Sequence, residues 1–252
     1  MRFASLGSGS AGNGLVVEAG ATRVLVDCGF PAEGTERRLA RLGLAPSDIT
    51  AIVVTHEHGD HADGVLPFAR RHGVAVWMTH GTARAVPGAQ PEARVFDSHA
   101  PFAIGGLEVH PFPVPHDARE PAQLVLTDGA SRLGVLTDTG SSTRHVEAML
   151  SGCDALVLEC NHDPALLAAG PYPGWLKTRI GGAFGHLAND AAAALLAALD
   201  RSRLRHVVAA HLSGTNNRPE LATAALARVL GCAPGEIVVA EQASGFGWLG
   251  LG

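Results

Sequence analysis

Residues Val53–Asp63 read VVTHEHGDHAD, and the rest of the chain can be read outward from them. The β-branched run Ile52–Thr55 has the length and composition of a buried strand. It delivers His56, His58, Asp60 and His61 within six positions, the pattern H-x-H-x-D-H. Where a chain leaves a strand in extended form, residues two apart project to one side, so His56 and His58 can share one cation. Gly59 permits a sharp turn, beyond which Asp60 and His61 can face a second cation. A helix over Ala62–His72, stopped by Gly73, is then expected. Imidazole and carboxylate donors of this kind suit zinc, manganese or iron better than calcium. A merely solvated histidine-rich loop would not need this spacing at a strand end.

At 252 residues the chain is long enough to bury a substantial core. No Pro/Gly/Ser-rich linker divides it, so residues 1–252 are expected to form one domain. The formal net charge is −5 and aromatics make up only 5% of the chain, so no global basic field advertises nucleic-acid binding. Bound divalent cations would nevertheless reverse the local potential and attract phosphate. The sequence has no uninterrupted apolar stretch of about 18 residues and no signal-peptide core, which points to the cytoplasm without a membrane partner. Cys28, Cys153, Cys160 and Cys232 are widely spaced, which argues against both a disulfide framework and a structural zinc knot.

Other strand-like runs also end in chemistry. The strand-like Leu133–Thr137 ends on Asp138, DALVLE on Glu159, and the run Arg205–Ala210 delivers His211. Ligands bind at the carboxyl edge of strands in layered α/β proteins, so this convergence suits one site. VLTDTG also echoes VLVDCG at Val24–Gly29, as if the chain held two similar β/α halves. In the latter, Asp27 is either a hydrogen-bonding support for a metal-bound histidine or a cap for the next turn. The small-residue loop Gly7–Gly14 is either an ordinary hairpin connection or a phosphate cradle, with Ser8, Ser10 and Asn13 as added donors. His162 reads as a substrate or supporting residue rather than a ligand, and Asp163 before Pro164 as a helix cap. Asn216 and Asn217 either meet substrate or form the turn before Pro219.

The HEHGDH motif, with SLGSGSAGN (Ser5–Asn13), ECNHD (Glu159–Asp163), LKTRIGGAFGHLAN (Leu176–Asn189) and HLSGTNN (His211–Asn217), resembles the metallo-β-lactamase fold, in particular its YycJ/WalJ-type exonuclease subgroup. The resemblance spans nearly the whole chain. It implies an α/β (α+β) four-layer αββα sandwich, two mixed sheets flanked by helices. It also implies His56, His58 and His116 on one metal, Asp60, His61 and His211 on a second, and Asp138 bridging them. Lys177, Arg179 and His186 match the subgroup's motif and are expected to face substrate phosphates, whereas Ala188 stands where the subgroup usually has serine. The implied activity is 5′-to-3′ DNA exonuclease-like phosphodiester hydrolysis by a hydroxide held between two divalent ions, zinc or manganese, with iron open. Asp60 would orient that hydroxide, and His186 would protonate the leaving oxygen. No obligate protein partner is implied. The same metal set could hydrolyse a thioester, a lactam or a cyclic phosphodiester, or serve a non-catalytic metal-binding regulator.

Overall fold

The computed structural model describes residues 1–252. The chain first lays down β1 (Arg2–Gly7), β2 (Gly14–Ala19), β3 (Thr22–Val26), β4 (Ala51–Val53), β5 (Ala75–Thr79) and β6 (Arg94–Phe96). It then crosses to β7 (Phe102–Ile104), β8 (Leu107–Pro113), β9 (Ala122–Thr127), β10 (Arg132–Leu136), β11 (Ala155–Glu159), β12 (His206–Ala210) and β13 (Val238–Val239), and returns with β14 (Phe246–Gly250). Two seven-stranded sheets result, ordered β14-β1-β2-β3-β4-β5-β6 and β13-β12-β11-β10-β9-β8-β7. Each is antiparallel on one side and parallel on the other: β3 to β6 run parallel in the first, β10 to β13 in the second. The carboxyl ends of the parallel strands therefore present loops along one edge of the molecule.

Three apolar layers hold the sandwich. The middle one, including Phe3, Val24, Val53, Leu126, Leu133 and Val157, lies between the sheets. On the outer face of the first sheet, Leu25 and Ile52 pack against α1 (Ala32–Arg41) and α3 (Val65–His72), the latter preceded by the one-turn α2 (Gly59–Ala62). After α4 (His80–Ala85), the outer face of the second sheet is covered by α5 (Arg144–Leu150), α8 (Asn189–Ala198) and α9 (Pro219–Leu230), which bury Val146, Leu195 and Leu226 against Leu136, Leu156 and Leu158. Between α5 and α8 the short α6 (Pro164–Ala169) and α7 (Gly174–Ile180) form an excursion. The αββα layering expected from the sequence is the architecture found.

Three local departures have physical causes. The strand expected over Ile52–Thr55 ends at Val53, because the Thr55 amide leaves the ladder to donate to Asp27 Oδ1 at 2.8 Å. The helix expected over Ala62–His72 breaks at Gly64, whose amide donates to the Cys28 carbonyl at 2.9 Å. A Cβ on Gly64 would stand 1.8 Å from the Phe30 carbonyl oxygen, so only glycine allows this approach. Finally, β9 is a strand with no counterpart in the sequence reading, buried at all of its positions.

Candidate metal centre

The turn after β4 and the loop after β8 bring three imidazoles together. His58 Nδ1 lies 3.1 Å from His56 Nε2 and 3.2 Å from His116 Nε2. The outer nitrogens are already committed: His116 Nδ1 donates to the Gly185 carbonyl at 2.9 Å, and His56 Nδ1 reaches Thr55 Oγ1 at 3.0 Å. With their protons held outside, His56 and His116 turn lone pairs inward. These separations approach the edge of a tetrahedron with nitrogen–metal bonds of about 2.0–2.1 Å, an edge of roughly 3.3 Å.

A second set adjoins it. Asp60 Oδ2 lies 3.2 Å from His211 Nε2 and 3.4 Å from His61 Nε2. His61 Nδ1 donates to Asp27 Oδ2 at 2.8 Å, which leaves His61 Nε2 as the inward nitrogen. Asp138 stands between the sets, with Oδ2 3.0 Å from His61 Nε2 and Oδ1 3.8 Å from His116 Nε2. Although His61 Nε2 is so near, it lies off the direction a hydrogen bond needs, and the buried Oδ2 has no hydrogen-bond partner. A buried carboxylate oxygen left in this way is stabilised by a cation. The residues therefore fit divalent ions, and the donor chemistry fits zinc, manganese or iron.

Electrostatics agree. Burial pulls the His56 imidazole well below its ordinary value, reinforced by the neighbouring His61. Burial opposes charge on His61, His211 and His186 as well, yet carboxylates prevail at all three. Asp138 and Asp27 hold His61 well above its usual range, Asp138 and Asp60 push His211 up to about 9, and Glu159 and Asp138 push His186 up to about 10. Asp60 stays ionised despite burial because of His211 and His61. The acids thus retain protons on His61 and His211, which a cation entering the cluster would displace, whereas His186 stands beside the two donor sets with Nδ1 on Glu159.

The pocket over this cluster has a volume of about 300 Å³, and its wall includes Ser10, Asp60, Asp117, Arg179, His186 and His211. All seven expected donors converge below it. His186 sits at its side with Nδ1 donating to Glu159 Oε1 at 2.8 Å, and Arg179 crosses the mouth to Asp117. Ser10 is exposed at the rim.

Other expected substrate contacts are placed differently. Ser8 and Asn13 are buried and bonded to each other, and Ser8 Oγ accepts from the His211 amide while Asn13 Nδ2 stands 3.0 Å from His61 Nε2. Ser8 braces the His211 backbone, and Asn13, whose own backbone amide donates to the Asp60 carbonyl at 2.7 Å, braces Asp60, so neither is presented to a substrate. Asn216 is wholly buried, and Lys177 donates to the Ala168 carbonyl at the end of α6. His162 is buried away from the pocket wall. Asp163 caps α6, accepting from the Ala165 and Leu166 amides.

Two residues gain roles that the sequence left open or unassigned. Asp27 holds His61 and, through Thr55 Oγ1, His56 as well, from a left-handed backbone with φ 60°. Glu159 anchors His186 and accepts from the Thr139 amide at 2.8 Å. Each stands at the end of a buried strand, as the candidate ligand Asp138 does, and the sequence carries that signal. Asn tolerates a left-handed backbone, so Asp27→Asn isolates the carboxylate's effect. It is expected to weaken metal affinity about 10–100-fold, measured by competition with a chromophoric chelator, with turnover at saturating metal largely kept.

A two-sheet sandwich with histidines and aspartates gathered at the carboxyl edge of its strands defines a class of metal-dependent hydrolase. Residues 22–211 match the family model for the beta-lactamase superfamily domain, and the chain belongs to that family. It is similar to exodeoxyribonuclease YycJ of Bacillus anthracis, 34% identical over 235 residues that cover 91% of this chain and 89% of that one. It is 31% identical to exodeoxyribonuclease WalJ of Streptococcus pneumoniae over 229 residues, 88% of this chain and 85% of that one. Among solved structures, the metallo-beta-lactamase fold protein YhfI from Bacillus subtilis superposes with a TM-score of 0.75 over 99% of both chains at 15% identity. That likeness concerns the fold.

Proposed function

We propose that the chain acts as one domain, a phosphodiesterase that hydrolyses nucleic acid, with DNA as the favoured substrate and the cytoplasm as its place of action. The observation that carries this reading is the placement of Asp138 between two donor sets under an open pocket. Similarity to two exodeoxyribonucleases over most of the chain supports the substrate class, and a 5′-to-3′ direction is proposed with it.

His56, His58 and His116 would hold one ion, Asp60, His61 and His211 a second, and Asp138 would face both. Divalent ions so held supply a water activated at neutral pH and positive charge against the phosphoryl oxygens. The protein does the rest. Asp60, kept ionised by His211 and His61, offers an acceptor at the pocket wall that orients the water and takes its proton. Arg179 uses Nε on Asp117, which leaves its terminal nitrogens to meet a phosphate. His186, with Nδ1 fixed on Glu159 at the pocket wall, would give its Nε2 proton to the leaving oxygen.

The test is incubation of zinc- or manganese-loaded protein with 5′-labelled single- and double-stranded DNA and RNA, followed by product sizing. Release of 5′ mononucleotides from DNA is expected, and chelation should stop it. A glutathione thioester and nitrocefin run in parallel would, if turned over instead, overturn the phosphodiesterase reading.

A further inference from the structure

We propose that the α7 excursion carries an aromatic platform on which unpaired bases stack beside the scissile phosphate, so that the substrate is engaged as a single strand. This inference rests on the nucleic-acid reading above and adds the element of the substrate that is recognised.

The observation is one of distribution. In a chain poor in aromatics, Trp175 and Phe184 are the exposed large aromatic side chains, at 68% and 63%. Both belong to the excursion between α6 and α8, and each is a chain neighbour of a pocket residue: Trp175 precedes Leu176, and Phe184 precedes Gly185 and His186. Their backbone is not loose. The His186 amide donates to the Ile180 carbonyl at 2.8 Å, the Gly185 amide to Gly182 at 2.9 Å, and Ser141 Oγ to the Ala183 carbonyl at 3.1 Å. Gly185 also supplies the carbonyl that fixes His116. Phe184 is thus held out into solvent by the same turn that positions a metal ligand.

Exposed aromatics that flank a polar pocket are candidates for contact with what enters it. Their surroundings select the partner's chemistry: Arg179 lies one helical turn beyond Trp175 and at the pocket mouth, so the surface pairs apolar faces with a cation. Base rings offer π-faces and the linking phosphates offer negative charge, a combination that single-stranded nucleic acid presents and a paired duplex hides. Each stacked base is worth about 1–3 kcal/mol, which is about 5–150-fold in affinity.

The test uses metal-loaded protein and two fluorescein-labelled phosphorothioate decamers that resist cleavage, one of thymidines and one of abasic residues, read by anisotropy. Wild-type protein should bind the thymidine decamer at least about fivefold more tightly. Trp175→Ala with Phe184→Ala should remove most of that difference while leaving the abasic affinity and the metal content in place. Trp175→Phe should keep it. Equal affinity of the wild type for both decamers overturns the platform, as does a double variant that retains the full difference. A double variant that instead changes from dimer to monomer on gel filtration, with no base dependence in the wild type, reassigns the patch to a second copy of the chain. If neither decamer binds and DNA is not cleaved, the nucleic-acid reading itself has failed, whereas cleavage of DNA without base dependence overturns this inference alone.

Discussion

Alanine at His61 or at Asp138 is expected to remove bound metal and turnover together, with activity falling by at least about a thousandfold. The two positions fail for different reasons. His61 contributes the nitrogen nearest Asp138 and is locked by Asp27, so its loss opens the second donor set and leaves a buried carboxylate without its partner. Asp138 is fully buried among His61, His116, His186 and His211, and its loss removes the negative charge that the surrounding cations share. Metal content after gel filtration, measured by mass spectrometry of the ion, and hydrolysis of bis-p-nitrophenyl phosphate give the two readouts. A variant with full metal and full rate would dissolve the proposed centre.

Replacing His186 should separate what those substitutions join. His186→Ala is expected to keep metal and to slow DNA cleavage by about 10²–10⁴-fold, the usual contribution of a proton donor. The leaving group supplies the decisive contrast. A p-nitrophenolate departs without being protonated, so hydrolysis of bis-p-nitrophenyl phosphate should suffer far less than hydrolysis of DNA. Equal losses on the two substrates would show that His186 has another role. Loss of metal would place it among the ligands, where Asp138, Glu159 and His211 stand close enough to join it.

Much of this centre is legible in the sequence because strand ends concentrate it. His56, Asp138, Glu159 and His211 each end an apolar run, and parallel strands deliver their ends to one edge. The αββα layering, by contrast, is implied by the resemblance to a known family. So is the role of His116. It follows β8 after Val114 and Pro115, with nothing local to mark it, and only the resemblance to a known family assigned it. Ser8, Asn13 and Asn216 show the opposite failure. Small polar residues in Gly-rich loops look like ligand donors, but burial decides whether they face substrate or neighbours, and burial is a property of the assembled sheets. The missing strand β9 has a similar cause: AQLVLT, buried on both faces, lacks the alternation that marks a half-exposed strand. The helix break at Gly64 depends on Phe30 passing close by, a contact between segments far apart in the chain.

The proposed donors are divided between the two sheets. His56, His58, Asp60 and His61 come from the turn beside the first, and His116, Asp138 and His211 from loops of the second. A growing polypeptide therefore emerges from the ribosome with its scissors unassembled, and stays so until residue 211 has been made and the later half has closed upon the earlier one. Capacity to cut arises as a property of the finished molecule, and any unfolding that parts the halves would switch it off.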